Sequence, residues 1–218
     1  MQGELLKPII EANFFKERLM CVRDLITSCY RDAFRESEGW RPGNRAVSLP
    51  HRRLALINET LYELMALGPD IAVDEFLTEK LSYQYTAFRM GSAVITHHYR
   101  QKSGQSPRKS SNYPRQLTVE KLDLFPDYQF SELQPPDGDG HFIVILHGSA
   151  HPVSLKPDFM DIGLPRDGDC KLIDIVSMED AIELAPSLEI PEPMHRPEVV
   201  IEDEVRVDFE TLPNRKES

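Results

Sequence analysis

The sequence predicts an α+β fold, in which an N-terminal helical bundle precedes a small, mainly antiparallel sheet with one short helix. Apolar residues recur at helical spacing through the first half of the chain, whereas short apolar runs bounded by Gly, Pro and Asp occupy the second half. No strand–helix–strand alternation occurs. The 218 residues, 40% hydrophobic and 28% charged, are sufficient to bury a core.

The strongest helix pattern runs from Ala12 to Ala33, where apolar residues alternate at spacings of three and four. Its stripe is wide enough to predict burial against more than one neighbouring helix. We expect this helix to end near Gly39. A second helix is predicted to begin at Ser48 and Pro50 and to end at Gly68, with its inward face formed by Leu54, Ile57, Leu61 and Leu64.

A third helix is predicted after Asp70, which is placed to cap it. The helix would extend to Tyr99, and its inward residues would be Val73, Leu77, Leu81, Tyr85 and Phe88. These three helices define a predicted helical domain over residues 1–99.

The chain then changes in composition. Residues 100–116 are rich in Ser, Pro and basic residues and predict a linker or exposed loop. Residues 117–212 form a predicted acidic, β-rich domain, and residues 213–218 a frayed tail. Strands are predicted at 141–148, at 171–177 and within 199–209, and a short helix is predicted after the capping residue Ser177.

The charge is divided between the two halves. Residues 1–115 contain 17 Lys and Arg against 13 Asp and Glu, a net charge of +4. Residues 116–218 contain 8 against 23, a net charge of −15. This division indicates either an anionic partner for the first half or electrostatic docking between halves.

The three cysteines form no CxxC pair, so they build neither a disulfide framework nor a thiolate zinc site. This usage favours a reducing cytoplasm. The N-terminal stretch carries Glu4 and Glu11 and so differs from a signal peptide. No apolar run reaches the roughly 18 residues of a membrane span, and we expect no membrane partner.

One pattern in the second half resembles the signature of the PD-(D/E)xK nucleases. Pro157 and Asp158 are followed by Asp169, Cys170 and Lys171. The resemblance implies a metal-dependent nuclease or phosphodiesterase in which Asp158 and Asp169 bind a divalent metal and Lys171 lies near the attacking water. Asp169 follows turn-forming residues here, whereas the family places this acid within a strand.

Histidines suggest a second kind of site. His141, His147 and His151 bracket the predicted strand at 141–148 and could hold a metal together with nearby carboxylates. Neither HExxH nor HxH is present, so we predict no particular metal. His97 and His98 are interpreted as part of the cationic segment.

That cationic segment gives a third hypothesis, a nucleic-acid-binding module. Its basic residues would neutralise phosphates while tyrosines stack on bases. The residues predicted to contact an anionic partner are Arg100, Lys102, Arg108, Lys109 and Arg115. Arg41, Arg45, Arg52 and Arg53 could extend this surface. The acidic second half, which would repel a polyanion, weighs against this hypothesis.

Without a phosphate-binding glycine loop or a convincing catalytic set, the sequence favours an intracellular interaction protein or accessory subunit. In this interpretation the helical half supplies an assembly surface and the acidic half binds a cationic protein partner or a second copy of the chain. The lone tryptophan, Trp40, is predicted to be a partner-binding anchor. We expect no cofactor, with a divalent metal only for the nuclease alternative.

Overall fold

The computed structural model describes residues 3–77, 84–106, 140–166 and 171–188, and all of them belong to one compact unit. Helix α1 spans Leu6–Asn13, α2 spans Lys16–Glu36, α3 spans Pro42–Thr60, and a 3₁₀ helix, Leu61–Leu67, continues α3. The strands are β1 (Ile71–Leu77), β2 (Gln84–Met90), β3 (Ala93–Tyr99), β4 (His141–Gly148), β5 (Phe159–Pro165) and β6 (Leu172–Ser177). Helix α4, Met178–Leu184, follows β6 directly.

The six strands form one sheet in sequence order. Every neighbouring pair is antiparallel except β3 and β4, which are parallel. Parallel neighbours need a long crossover connection, and the chain provides 41 residues between Tyr99 and His141 for it. The mixed α+β class is therefore confirmed, with a sheet of six strands that is larger than the small one expected.

The apolar stripe of α2 is buried, as its spacing predicts. It packs in one large core with α1, α3, α4 and the sheet face that carries Ile95, Ile143 and Ile145. A second apolar cluster, centred on Val94, Val144 and Leu146, lies on the opposite face of the sheet. Side chains alternate between faces along a strand, so β3 and β4 each contribute to both clusters.

Asp174, on β6, joins the sheet to the first helix. Its carboxylate accepts hydrogen bonds from the backbone N–H groups of Gly3, Leu5 and Leu6 at 2.6, 2.8 and 2.9 Å. Leu6 is the first residue of α1, and Gly3 and Leu5 lie just before it, where the first N–H groups of a helix have no partner inside the helix. A strand residue 168 positions away therefore caps this helix.

The prediction of a third helix after Asp70 is wrong. Residues 71–77, 84–90 and 93–99 form three antiparallel strands instead. Gly91 occupies the tight turn between β2 and β3 at φ 56°, a conformation that a helix interior does not use. The β-branched and aromatic residues of Ala93–Tyr99 favour strands. The helical spacing of apolar residues between positions 71 and 99 therefore does not reflect a helix.

The expected helical bundle is not confirmed, because α1–α4 cover a sheet face and do not form a separate domain. The boundary drawn at residue 99 falls between β3 and β4, which pair in one sheet. The predicted linker is described only over 100–106, where no helix or strand forms. The predicted strand within 199–209 and the tail at 213–218 lie outside the described residues.

Other elements agree with the sequence. The strand expected at 141–148 is β4, at the bounds predicted, and the strand expected at 171–177 is β6. Ser177 caps α4, since its Oγ accepts from the Asp180 N–H at 3.1 Å. In the described part of the chain, no helix has both the length and the apolar character to cross a membrane.

Candidate functional site

A buried polar cluster lies where the carboxyl ends of β3 and β4 meet α2 and α3. The parallel register sets Tyr99 beside His147, and His97 lies two residues earlier on the same face. From α2, Tyr30 reaches the same point, and Asn58 approaches from α3. We refer to Tyr30, His147, His97 and Asn58 as the polar relay.

The polar relay is one continuous chain of hydrogen bonds. Tyr30 Oη lies 2.9 Å from His147 Nδ1, and His147 Nε2 lies 3.3 Å from His97 Nδ1. His97 Nε2 is 2.7 Å from Asn58 Oδ1, which also accepts from the Thr86 N–H at 3.3 Å. The Thr86 amide can only donate, so this contact identifies the Asn58 atom as the oxygen.

That assignment gives the relay one direction. Because Asn58 Oδ1 only accepts, His97 carries its proton on Nε2, and its Nδ1 accepts from His147 Nε2–H. His147 Nδ1 is then free to accept the Tyr30 hydroxyl proton. All four groups are satisfied when both imidazoles are neutral, and one fixed tautomer of each follows.

Burial keeps these groups uncharged. His147 is 0% exposed and Tyr30 is 0% exposed. Burial lowers the pKa of His97 to about 4 and lowers the pKa of His147 well below its ordinary value. The same desolvation raises the pKa of Tyr30 far above that of a free tyrosine.

Arg53 adds a buried positive charge next to the polar relay. Its side chain projects from α3 and is 0% exposed, and its guanidinium carbon lies 4.3 Å from the centre of the Tyr30 ring. Nη2 donates to the Ser154 carbonyl at 2.5 Å. Nε and Nη1 are buried and have no hydrogen-bond partner in the part of the chain that the structure describes.

The loop between β4 and β5, residues 149–158, covers the cluster. The Ser154 carbonyl accepts from Arg53, and the Ser149 carbonyl accepts from the Tyr99 hydroxyl at 3.2 Å. Asp158 closes the base of the loop, where its Oδ2 accepts from the Ala150 N–H at 2.7 Å. The cluster is therefore sealed by backbone carbonyls and contains no side-chain anion among the described residues.

Two of the three nuclease-like residues, Asp158 and Lys171, lie in the described part of the chain, near opposite ends of β5. Asp158 is exposed and precedes β5, whereas Lys171 lies beyond the other end of β5, where its carbonyl accepts from the Arg166 N–H. Eight residues of extended chain separate the two positions by roughly 25 Å. Asp169 lies outside the described residues. The two positions described therefore give no geometric support to the nuclease alternative.

The predicted anion-contact residues are only partly described. Arg100 donates to the carbonyls of Tyr99 and Ser106 at 2.6 and 3.0 Å, so it stabilises local backbone, while Lys102 is exposed. Three others, Arg108, Lys109 and Arg115, lie outside the described residues. The arginines that could extend this surface are engaged within the protein. Arg45 donates to Ser37, Arg52 pairs with Glu36, and Arg53 is buried.

The histidines are not arranged as metal ligands. His141 is exposed at the start of β4, and His151 is exposed in the following loop, whereas His147 belongs to the polar relay. Within the residues described, no group of three or more His, Cys, Asp or Glu side chains is placed to hold a metal ion. His97 and His98, which the sequence assigns to the cationic segment, are both buried side chains of β3.

Trp40 lies in the turn between α2 and α3 and is 37% exposed. The backbone N–H of Trp40 donates to the Ser37 carbonyl at 3.0 Å. Its predicted role as a partner anchor stays a prediction.

A groove of about 430 Å³ runs along the outer surface between α2 and the 3₁₀ helix. Its lining residues are Cys21, Asp24, Leu25, Ser28, Asp32, Thr60, Glu63, Leu64 and Leu67. Three of them are carboxylates, and none is Lys, Arg or His. We call this feature the acidic groove.

Comparison with known proteins identifies no relative. No protein-family model matches the sequence, and neither a curated protein nor a solved structure is significantly similar to it.

The sequence contained one signal for the buried cluster that the sequence interpretation missed. Arg53 lies four residues after Leu49 and four before Ile57, both fully buried, so a charged residue occupies the apolar stripe of α3. A charge at such a position is rarely buried without a specific partner. The polar relay itself depends on the pairing of β3 with β4, which no local pattern reveals.

Proposed function

We propose that the protein is an interaction module or accessory subunit that binds a cationic, amphipathic segment of a partner protein in the acidic groove. The observation that carries this proposal is the lining of the groove, which combines apolar side chains with three carboxylates. An amphipathic helix can place its apolar stripe in such a groove and its lysines or arginines against the carboxylates.

The exposure of neighbouring side chains supports this proposal. Leu67, which lines the groove, is 36% exposed, and Met20 and Met65 nearby along the same two helices are 36% and 49% exposed. Flexible methionines suit surfaces that accept varied apolar partners. Burial raises the pKa of the Cys29 thiol beneath this surface, and the charges of Asp32 and Glu63 raise it further.

Two surface arginines partly balance the acids. Arg23 Nε lies 2.9 Å from Asp24, and Arg35 Nη1 lies 3.4 Å from Asp32. Exposed pairs of this kind contribute little free energy and exchange readily with a partner's cations. Glu63 contributes the remaining carboxylate of the groove. The free thiols of Cys21 and Cys29 support a place for this module in the reducing cytoplasm.

A defined peptide tests the proposal. The probe is a synthetic helix of roughly 15 residues with Leu at helical-stripe positions and Lys elsewhere, and its control is a scrambled peptide of equal composition. Fluorescence anisotropy with the full chain should show binding of the stripe peptide that weakens from low to high salt. Weaker binding of the scrambled peptide is expected because it cannot fill the apolar floor.

Charge reversal locates the site. Glu63→Lys should weaken binding about tenfold, whereas Glu38→Lys makes the same charge change in the turn after α2, away from the groove, and should change it less than twofold. Equal effects of the two variants would contradict the proposal. If sedimentation shows that the protein associates with itself and Glu63→Lys separates the copies, a second copy replaces the partner segment as occupant.

A further inference from the structure

We propose that Arg53 is the anchor of a closed binding site for an oxyanion group, a phosphate or carboxylate carried by a small ligand, beneath the loop at residues 149–158. The inference is independent of the acidic groove. It rests on the state of the guanidinium, on the chemistry around it and on the loop that covers it.

The guanidinium has donors and charge that the protein leaves unused. Arg53 is 0% exposed, and among the described residues its Nε and Nη1 have no hydrogen-bond partner while Nη2 donates to the Ser154 carbonyl. Arginine stays protonated in proteins, so it cannot shed this charge as a buried lysine or histidine can. Buried charges are normally paired.

No side chain of the described residues supplies the missing anion. Arg53 makes no ion pair there, and the charge of Asp158 acts on it only from beyond contact distance. Asp158 itself is exposed and accepts from the Ala150 N–H. The neighbouring imidazoles of His97 and His147 have acceptors and donors that are already matched within the polar relay.

The surroundings favour an oxyanion over a metal or a cation. Arg53 presents only donors, and its planar guanidinium matches the geometry of carboxylate and phosphate oxygens. The hydroxyl of Tyr99, whose single proton is donated to the Ser149 carbonyl, lies on the same side of the sheet and becomes a further donor when the loop is displaced. The Tyr30 ring stacks against the guanidinium and holds it in place.

The loop supplies the route of entry. Hydrogen bonds from Arg53 and Tyr99 to the carbonyls of Ser154 and Ser149 join the loop to the cluster. A ligand oxyanion is a stronger acceptor than a carbonyl and would replace Ser154 at Arg53. At the outer part of this loop, Leu155 is 52% exposed, so displacement there uncovers little additional apolar surface.

The test measures the thermal unfolding midpoint of the full chain across series of sodium phosphate and sodium acetate, each matched in ionic strength with sodium chloride. We expect a saturable rise with one or both oxyanions and none with chloride, since a ligand that binds the folded state stabilises it. Phosphate and acetate together distinguish a phosphate-bearing ligand from a carboxylate. The backbone amide NMR signals of Ala150 and Ser154 should shift over the same concentration range.

Three variants assign the response to Arg53. Arg53→Met should abolish it and should unfold in chloride no earlier than the wild type, because it removes an unpaired buried charge. Arg53→Lys keeps the charge without the planar donors, and its response should be weakened at least tenfold. Arg52→Met is the matched control, because Arg52 lies on the same helix, pairs with Glu36 at the surface and should leave the response unchanged.

Several results would overturn the proposal. One is the absence of a saturable rise in the midpoint with either oxyanion. Another is a response of full strength in Arg53→Lys, and this variant decides the question if Arg53→Met does not fold. An equal loss of response in Arg52→Met would place the anion at the surface and would likewise reject a site under the loop.

Discussion

The polar relay restricts what each of its residues can do. Asn58 receives the backbone N–H of Thr86, so the orientation of its amide is set by a strand and not by the side chains it serves. From that single contact the protonated nitrogen of His97, then of His147, and finally the donor role of Tyr30 follow in turn. Hydrogen-bonded chains of this kind specify one arrangement of a core, because any single change leaves a buried atom unpaired.

Tyr30→Phe tests the direction of the relay. The substitution keeps the ring that packs against Arg53 but removes the hydroxyl, and His147 Nδ1 is then buried without a donor. We expect the free energy of unfolding to fall by about 1–3 kcal/mol, measured by urea denaturation at pH 7.5.

Tyr62→Phe is the control for that measurement. Tyr62 lies on the 3₁₀ helix and is 39% exposed, so loss of its hydroxyl should cost less than about 0.5 kcal/mol. Similar costs for the two variants would show that His147 does not depend on the Tyr30 proton.

At the scale of elements, the end of β4 determines how the cluster is enclosed. Gly148 lies where the strand passes the backbone of Arg100, and a Cβ atom at residue 148 would lie 1.6 Å from the Arg100 carbonyl oxygen. The adjacent pair, Arg100 N–H to His147 carbonyl, is 2.9 Å long and extends the parallel pairing of β3 and β4 by one bond. The strand end and the residue after β3 are therefore in direct backbone contact.

Gly148→Ala should accordingly be severely destabilising, by about 4 kcal/mol or more, because the clash is with backbone and not with a movable side chain. Chemical denaturation of the full chain measures the effect. Gly43→Ala makes the same change in the first turn of α3, where nothing lies within 4 Å of the added carbon. It should be neutral or slightly stabilising. A Gly148→Ala variant as stable as Gly43→Ala would contradict the contact.

Elements defined by their own residues were predictable, and elements defined by their neighbours were not. The apolar run of β4 and the Ser177 cap of α4 carry local signals strong enough to place both. Residues 71–99 carry a helical spacing and a strand composition at once, and the tight turn at Gly91 decides between them. Strand β5 contains Asp161, Gly163 and Pro165, which read as turn residues until its pairing with β4 and β6 is known.

At the scale of the whole molecule, the charge division of the sequence does not correspond to a division of the structure. Among the described residues, β3 is the last strand of the basic half and β4 is the first strand of the acidic half, yet these two strands are neighbours in one sheet. A parallel pair joined by a long connection has no signature in local periodicity. For the same reason the sequence predicts the candidate site only in fragments: it groups His147 with His141 and His151 as possible metal ligands, whereas the partners of His147 in the structure lie on α2 and β3.

Buried neutral histidines also predict how the folded protein responds to acid. His97, His98 and His147 all have pKa values lowered by burial, and the positive charges of Arg53 and Arg100 lower that of His147 further. Between pH 6.5 and about 4 the unfolded chain therefore binds more protons than the folded one. Stability must rise with pH through this window and fall on acidification. For His97 alone, a pKa of about 4 against an ordinary 6.5 means that complete protonation lowers the free energy of unfolding by about 3 kcal/mol.

Two carboxylates with lowered pKa values affect stability at lower pH than the buried histidines do. The pKa of Asp174 is lowered because its carboxylate accepts the backbone N–H groups of Gly3, Leu5 and Leu6, a contribution that outweighs desolvation. The pKa of Asp70 is also lowered, because its carboxylate accepts hydrogen bonds from the Arg18 guanidinium. Their stabilising contributions are present above the ordinary carboxyl pKa and are lost as pH falls through the lowered values, so they remain largely intact where the histidines are being protonated.

Urea unfolding at intervals from pH 7.5 to 4.5 should therefore show a steady loss of stability that begins near pH 6.5. His97→Gln removes one buried titrating group, so its stability should depend less steeply on pH than that of the wild type over this window, whatever its stability at pH 7.5. His51→Gln removes an exposed histidine of α3 and should leave the slope unchanged. If the wild type is equally stable at pH 7 and pH 5, or if both variants retain its slope, His97 is not held neutral in the core and the tautomers assigned to the polar relay do not apply.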